Sequence, residues 1–432
     1  MLDKRSPLFS VIAFAAVFGS LVVVAPLFAA SKENVLQRFP YASLRGGLIM
    51  DAAGNVYGTT VYANDSCGTV FELKPGENGK WKQKTLYLFG TNGPTDACRP
   101  YGSLIFDPEG NLYGTTLEGG TQSYGTVFEL TRGTKGNWTE KVLYNFCSAS
   151  ACKDGVWPFA GLIFDSVGTL YGTTSSGGTY GSGGTVFKLT RGGGGNWTET
   201  VLHSFRKYGD HASGPLGGLV SDASGNLYGT TYAGGIYRKD CDPSQLHCGT
   251  AFELKRGKNG KWREIVLHRF RRKDGANPGS GLIFGATGSL YGTTFLGGTG
   301  PCKDDNGIVL GCGTVFSLTP VANGKWVEKV LHNFDDDGKD GYSPLASLIF
   351  DAAGNSYGTT ESGGTGNGGT VFSLIQKANG KWKEVIVHSF AGTRDGALPT
   401  AGLIFDPIGN LYGTTSSCGN ENCQGTVFEI TP

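Results

Sequence analysis

Residues 161–205 read GLIFDSVGTLYGTTSSGGTYGSGGTVFKLTRGGGGNWTETVLHSF, and this stretch decides the fold. Short apolar or alternating runs at 161–165, 170–174, 184–189 and 197–205 are separated by glycine-rich connections. Alternation with a period of two is typical of β-strands, and an Asp-x-x-Gly connection is typical of a tight turn. The stretch therefore predicts four antiparallel strands, named A to D in chain order.

The same unit recurs along the whole chain. The tetrad Tyr-Gly-Thr-Thr occurs seven times, 55 to 66 residues apart, beginning at Tyr57, Tyr113, Tyr171, Tyr228, Tyr291, Tyr357 and Tyr412. The marker Gly-Thr-Val/Ala-Phe also occurs seven times, and a tryptophan followed by an alternating run that ends in Phe occurs six times. Four-stranded units at a regular period predict a β-propeller, in which the sheets are arranged around a central channel.

The two ends of the chain distinguish a ring from an open stack. The chain reaches Pro432 directly after strand C of the seventh unit, and the stretch from Val35 to Phe39 (VLQRF) matches strand D of the other units. A strand D supplied from the N-terminal side would complete the last blade and leave no free sheet edge. The sequence predicts an all-β, seven-bladed propeller at residues 31–432, closed by Val35 to Phe39. An open stack with ragged ends is the alternative.

Composition agrees with this interpretation. The 432 residues include 72 glycines and 17 prolines, roughly twice the ordinary share. Each glycine inside a helix costs about 1 kcal/mol, so long helices are excluded. The chain is 39% hydrophobic and 12% aromatic, which provides enough apolar material for a core. We expect that core to consist of the strand C phenylalanines, the strand D tryptophans and five strand A phenylalanines. The latter are Phe106, Phe164, Phe284, Phe350 and Phe405.

The net charge and the N-terminal sequence give information on the partners and the location of the protein. The 37 basic and 36 acidic residues nearly cancel, so a nucleic-acid partner is not expected. Residues 8–30 are almost wholly apolar, follow Lys4 and Arg5, and end in small residues, a pattern typical of an export signal. The run is also long enough to anchor the chain in a membrane if it stays uncleaved. We expect an exported monomer that is periplasmic, secreted or on the cell surface.

The ten cysteines all fall in the B–C or D–A connections, which share one face of a propeller. Pairing neighbours on that face uses every cysteine. The predicted disulfides are Cys67–Cys98, Cys147–Cys152, Cys241–Cys248, Cys302–Cys312 and Cys418–Cys423. A metal site is the weaker alternative, because no recurring Cys-x-x-Cys with a histidine is present. Neither a metal nor a cofactor is expected.

Four histidines occupy the same place in strand D of four units. They are His203, His268, His332 and His388, and Tyr87, Tyr144 and Gln37 stand there in the others. Residues held one per blade near the rim do not converge on one substrate. The pattern therefore indicates strand packing.

Aspartates recur in the D–A connections, mostly as Asp-Gly. They are Asp96, Asp154, Asp210, Asp274, Asp340 and Asp395. If strand A lines the channel, these carboxylates would form a ring at its mouth, able to bind a cation or polar ligand. Alternatively, Asp-Gly recurs because the turn recurs.

The copies differ most in the B–C loops of the fourth and fifth units, which lie side by side in a ring. Because shared positions serve the fold, we expect ligand contacts where copies differ. The candidate binding residues are Tyr237, Arg238, Lys239, Asp240, Lys303, Asp304 and Asp305.

The unit from Ser103 to Leu130 resembles the bacterial GloVer tandem repeat, and the likeness extends over residues 35–432. The resemblance implies a bacterial, exported or surface protein and brings no catalytic residues. The blade opening is also similar to that of NHL-type propellers, which implies that strand A is innermost.

Two functions follow from these observations. The first is non-catalytic binding of an extracellular glycan, peptide or surface protein on the disulfide-rich face. The alternative is a hydrolase or lyase acting on extracellular polysaccharide or lactone, with the channel-mouth carboxylates as acid and base.

Overall fold

The computed structural model describes residues 31–63, 66–206, 211–235, 241, 247–392, 394–417 and 425–431. These residues form seven antiparallel sheets, each containing the four strands of one blade, and the predicted seven-bladed propeller is confirmed. No helix within these ranges is long and apolar enough to cross a membrane.

The blades follow one strand plan. In blades 1 to 7, strand A comprises Ile49–Met50, Ile105–Phe106, Ile163–Phe164, Val220–Ser221, Ile283–Phe284, Ile349–Phe350 and Ile404–Phe405. Strand B comprises Val56–Thr60, Leu112–Gly119, Leu170–Thr174, Leu227–Thr231, Leu290–Thr294, Ser356–Thr360 and Leu411–Thr415. Strand C comprises Thr69–Pro75, Thr126–Arg132, Thr185–Arg191, Thr250–Arg256, Thr314–Val321, Thr370–Gln376 and Gly425–Thr431. Strand D comprises Trp81–Leu88, Trp138–Asn145, Trp197–Ser204, Trp262–Arg269, Lys325–Asn333, Trp382–Ser389 and, in blade 7, Lys32–Phe39.

Short elements decorate the connections. Two-stranded additions pair Ala212–Ser213 with Ala233–Gly234 and Gly341–Tyr342 with Ser362–Gly363, and Ala97–Pro100 adds a strand to blade 2. Single 3-10 turns are Glu77–Gly79, Ser150–Cys152, Gly193–Gly195 and Ala322–Gly324.

The ring is closed by the N-terminal strand, as the sequence predicts. Lys32–Phe39 pairs antiparallel with Gly425–Thr431, strand C of blade 7. Phe39 is buried, and its ring centroid lies 4.6 Å from that of Phe71 in blade 1. The closing strand thus pairs with the last blade and packs on the first.

The structure explains the Tyr and Gly of the recurring tetrad. In blade 2, the Tyr113 hydroxyl donates a hydrogen bond to Asp107 of the A–B turn at 3.2 Å and to Glu129 of strand C at 2.7 Å. A Cβ at Gly114 would lie 2.6 Å from the Phe128 ring. Glycine is required here because the ring covers the strand directly.

The two threonines of the tetrad form hydrogen bonds with different parts of the propeller. In blade 2, the Thr115 hydroxyl donates to the Ala160 carbonyl of blade 3 at 2.8 Å. The Thr116 hydroxyl lies 2.8 Å from that of Thr126 in strand C. One threonine therefore joins neighbouring blades, and the other joins two strands within a blade.

The core lies between the blades. Its largest fully buried side chains come from strand C and the end of strand D. They are Phe71, Phe89, Phe128, Phe146, Phe187, Phe205, Phe252, Phe270, Phe316, Phe334, Phe372 and Phe390. The tryptophans and most of the strand A phenylalanines, expected in the core, are half-buried and pack against the buried core clusters.

Four disulfides lie on the B–C and D–A face. They are Cys67–Cys98, Cys147–Cys152, Cys241–Cys248 and Cys302–Cys312. These are four of the five predicted pairs, and the fifth, Cys418–Cys423, lies outside the described residues. We call this side of the propeller the disulfide-rich face.

Candidate functional site

A cavity of about 370 Å³ lies at the centre of the ring. Each blade lines it with the segment that leads into its strand A, so strand A is innermost. These segments belong to the D–A connections, and the cavity therefore opens on the disulfide-rich face. We call its opening the channel mouth.

The blades pack closely around this cavity because small residues line it. Gly102 of blade 2 faces Ala160 of blade 3, and an added Cβ would lie 2.6 Å from the Ala160 carbonyl carbon. At the junction of blades 4 and 5, a Cβ on Gly217 would lie 2.3 Å from the Ser280 carbonyl oxygen. Backbone therefore meets backbone here, and a side chain has no space.

One position in each segment differs in size and chemistry from blade to blade. It directly precedes the small pair, and its occupants in blades 1 to 7 are Arg45, Tyr101, Phe159, Leu216, Gly279, Leu345 and Thr400. All seven line the cavity. We call them the mouth positions. Seven structurally equivalent positions thus give the cavity a chemistry that differs from blade to blade.

The mouth positions combine apolar surface with a few polar groups. The rings of Tyr101 and Phe159 meet edge to face, 5.1 Å apart. Arg45 is the one charged side chain among the described lining residues, and the Thr400 hydroxyl is buried without a hydrogen-bond partner. Burial raises the pKa of the Glu361 carboxyl, while the positive charge of Arg45 lowers it. Apolar walls with few polar groups are typical of ligand sites.

Exposed aromatic side chains lie on the disulfide-rich face in the connections of blades 1 to 3. Among the described residues, the five exposed aromatic side chains all lie on the disulfide-rich face and are 38% to 51% exposed. They are Tyr41, Tyr62, Tyr124, Trp157 and Tyr180. The ring of Trp157 lies 6.1 Å from that of Tyr124, and the Arg206 guanidinium lies 4.5 Å above the Tyr180 ring. Sequence reasoning did not identify these residues, because solvent exposure is not readable from residue type.

Trp157 is presented on a left-handed backbone. Its φ is 59°, and the residues before the matching proline in other blades share this conformation. They are Arg99, Gly214, Asn277, Ser343 and Leu398. For a residue other than glycine this conformation costs on the order of 1 kcal/mol. The Trp157 amide donates to the Tyr124 carbonyl, and its carbonyl accepts from the Ser175 amide, so both sides of the residue are fixed.

The aspartates predicted at the channel mouth lie elsewhere. Asp96, Asp154, Asp274, Asp340 and Asp395 lie against the strand D Tyr or His of their own blades. None lines the described cavity. The reason is that the D–A connection begins at strand D, the outermost strand, and the aspartate lies near the start of that connection. Asp210 lies outside the described residues.

The predicted ligand loops are described only in part. The stretch from Tyr237 to Asp240 lies outside the described residues. In blade 5, Lys303 and Asp305 are exposed, and the Asp304 carboxylate accepts from the amides of Asn306 and Ile308. Asp304 thus stabilises its own turn, and ligand binding by these loops stays a prediction.

Comparison with known proteins identifies the repeat. The model of the Gloeobacter/Verrucomicrobia repeat matches residues 44–241 and 241–432. The chain belongs to this family. The GloVer resemblance is therefore confirmed over nearly all of the described propeller. Among curated proteins, none matches the chain.

Solved structures align with most of the chain at low identity. An ancestral GH74 enzyme aligns with 91% of the chain at 10% identity and a TM-score of 0.55, and 48% of that enzyme is covered. A luciferin-regenerating enzyme aligns with 93% of the chain at 12% identity and a TM-score of 0.43, covering 95% of that protein. A protein of unknown function from Dyadobacter fermentans aligns at 11% identity and a TM-score of 0.45, covering 93% of this chain and 100% of its own. The likeness to the GH74 enzyme, at 10% identity, shows a common fold alone.

The chain also brings pairs of carboxylates together at its blade junctions. At the junction of blades 2 and 3, Asp154 accepts a hydrogen bond from the Tyr144 hydroxyl at 2.8 Å and lies near Glu199 of the next strand D. Burial, together with the negative charge of Asp154, raises the pKa of Glu199 to about 8. Corresponding glutamates are Glu33, Glu140, Glu264, Glu328 and Glu384. A Trp-x-Glu pattern in five strands D is the sequence signal that could have revealed them.

We predict that Glu199→Gln stabilises the protein at pH 8. The folded state keeps the Glu199 proton up to a pKa of about 8, against an ordinary value of 4.5. Stability is therefore lost as the pH rises from 4.5 to 8, and Gln removes that loss. After allowance for solvent screening we expect a gain of about 1 kcal/mol at pH 8 and a smaller one at pH 5. Urea unfolding at both pH values measures this, and an equal change at both would contradict it.

Proposed function

We propose that this protein is an exported, non-catalytic binding propeller that holds an extracellular glycan or peptide at the channel mouth. The observation that carries the proposal is the set of seven mouth positions, equivalent in the fold and different in chemistry. Residues that serve only the ring are repeated, as the tetrad shows. Four disulfides on the same face suit an oxidising compartment outside the cytoplasm.

The cavity is suited to one end or one side group of a larger ligand. Arg45 offers a charge-assisted hydrogen bond to an anionic group, such as a carboxylate. Tyr101 and Phe159 offer apolar surface beside it, and the Thr400 hydroxyl has a free hydrogen-bonding capacity.

The rest of the ligand would extend outward over the exposed aromatic side chains. Phe159 lines the cavity, Trp157 precedes it by two residues, and Tyr124 contacts Trp157. Phe159 therefore offers an aromatic ring at the cavity, and the contacting pair Trp157 and Tyr124 offers aromatic surface outside it. Rigid aromatic side chains lose little conformational entropy on binding, which makes them frequent anchors.

The hydrolase or lyase alternative requires an acid and a base at the channel mouth. Among the described lining residues the charged group is Arg45, and the described aspartates of the D–A connections lie near the outer strands. The site therefore favours binding over acid–base catalysis.

Binding is tested with an array of glycans and peptides, followed by titration of the selected ligand. Arg45→Met and Phe159→Ala are each expected to weaken binding about fivefold or more, since anchors of this kind contribute about 1–3 kcal/mol. Ile408→Ala is the matched control, because Ile408 is 86% exposed on an A–B turn of the opposite face. Unchanged affinity of both mouth variants, or equal loss in the control, would refute the proposed site.

A further inference from the structure

Two blade junctions bring one histidine and two carboxylates together. At the junction of blades 4 and 5 these are His268, Asp274 and Glu328, and their ligand atoms lie within 4.8 Å of one another. At the junction of blades 5 and 6, His332, Asp340 and Glu384 form the same arrangement. Strand D, the D–A connection and the next strand D each supply one side chain. We call them the junction clusters.

The second junction cluster has distances close to those of a metal site. The His332 Nε2 atom lies 3.1 Å from Asp340 Oδ2 and 3.7 Å from Glu384 Oε1. Ligand atoms at about 2.0–2.2 Å from a tetrahedral Zn²⁺ are separated from each other by roughly 3.3–3.6 Å. An ion therefore fits with small side-chain adjustments.

Several polar atoms in the junction clusters are buried without a hydrogen-bond partner. They are Glu328 Oε1, Asp340 Oδ1 and Glu384 Oε1. The side chains of Asp340 and Glu384 are only 11% and 14% exposed. Buried polar atoms are normally satisfied, and an ion is one partner that can satisfy them.

The charge balance indicates a cation as that partner. Two carboxylates close together in a half-buried site repel each other, and each loses hydration. A divalent cation would neutralise both carboxylates at once.

The junction between blades 2 and 3 provides an internal comparison. There Tyr144 occupies the histidine position, and its hydroxyl donates to Asp154 at 2.8 Å. A phenol hydroxyl donates a hydrogen bond to the carboxylate, whereas an imidazole nitrogen can ligate a metal. The tyrosine form of the junction therefore gives one carboxylate oxygen a hydrogen-bond donor, and the histidine form offers a nitrogen that can bind a metal ion.

We propose that each junction cluster binds one divalent transition-metal ion of the Zn²⁺ type, with water as a fourth ligand. One imidazole and two carboxylates are a ligand set that this ion accepts. Each ion would join strands D of adjacent blades and stabilise the ring at blades 4 to 6. The inference is independent of ligand binding at the channel mouth, and it departs from the expectation of no metal and of histidines that serve packing.

The test uses the untagged full chain, stripped with EDTA and titrated with Zn²⁺ alone. We expect the wild type to bind at least two ions per chain with micromolar affinity or better, by calorimetry and elemental analysis. The double variant His268→Tyr/His332→Tyr, which copies the Tyr144 junction, should lose two ions. His211→Gln is the control, because His211 is exposed and lies outside both clusters.

Two results would overturn the proposal. One is no bound Zn²⁺ in the wild type, and the other is unchanged stoichiometry in the folded double variant. If that variant does not fold, anomalous diffraction at the zinc edge from wild-type crystals decides. Peaks at both junctions support the proposal, and their absence after Zn²⁺ soaking refutes it.

Discussion

A chain that lacks Lys32–Phe39 is expected to lose on the order of 5 kcal/mol of folding free energy or more, enough to unfold most domains. The deletion removes strand D of blade 7 and exposes the edge of Gly425–Thr431. It also uncovers Phe71 in blade 1, against which Phe39 packs. Two blades are damaged by one deletion because the strand closes the ring. Loss of the cooperative unfolding transition in urea is the expected result.

A point substitution separates closure from a general effect of truncation. Phe39→Ala removes a buried ring and should cost about 3–5 kcal/mol. Asn34→Ala is the matched control on the same strand, because Asn34 is exposed and should change stability by less than about 0.5 kcal/mol. If both variants unfold at the same urea concentration as the wild type, the strand does not close the ring.

Gly217→Ala is expected to be the most damaging single methyl addition at the channel. The new Cβ would lie 2.3 Å from the Ser280 carbonyl oxygen and 2.7 Å from the Gly281 nitrogen. These are backbone atoms of the next blade, which cannot rotate away as a side chain can. Forcing the blades apart should cost about 3 kcal/mol.

The control for this substitution lies in a C–D turn. A Cβ on Gly193 meets no atom within 4 Å, and its φ is not in the left-handed region. Gly193→Ala should therefore be neutral or slightly stabilising. Denaturant unfolding of the two variants compares them directly. Equal stability of both would mean that the blades do not approach each other as closely as the structure shows.

The fold was predictable because one unit is written seven times. Each tetrad position has a repeated task, as Gly114 beneath Phe128 and Thr115 across the blade junction show. Because seven copies share one pattern, an unclear strand in one copy can be identified from the others. Strand order and ring closure could therefore be inferred from the pattern of residues alone.

The site was less predictable because it depends on the positions that side chains take in the folded protein. The mouth positions converge only when seven D–A connections meet at one axis, and the sequence places them about 59 residues apart on average. The sequence prediction put the aspartates on the correct face of the propeller but too close to its central axis. Strand D contains a β-bulge between Val142 and Tyr144, which redirects the following side chains. Such a bulge is not visible in residue type.

The proposed function places the ligand at the mouth positions, so the central test is where on the propeller a ligand binds. Hydrogen exchange of the protein with and without the array-selected glycan or peptide answers this most directly. We predict slower exchange in the segments around Tyr101 and Phe159 and no change in the A–B turn that carries Ile408. Protection confined to the A–B and C–D face, with the channel mouth unaffected, would contradict binding at the channel mouth.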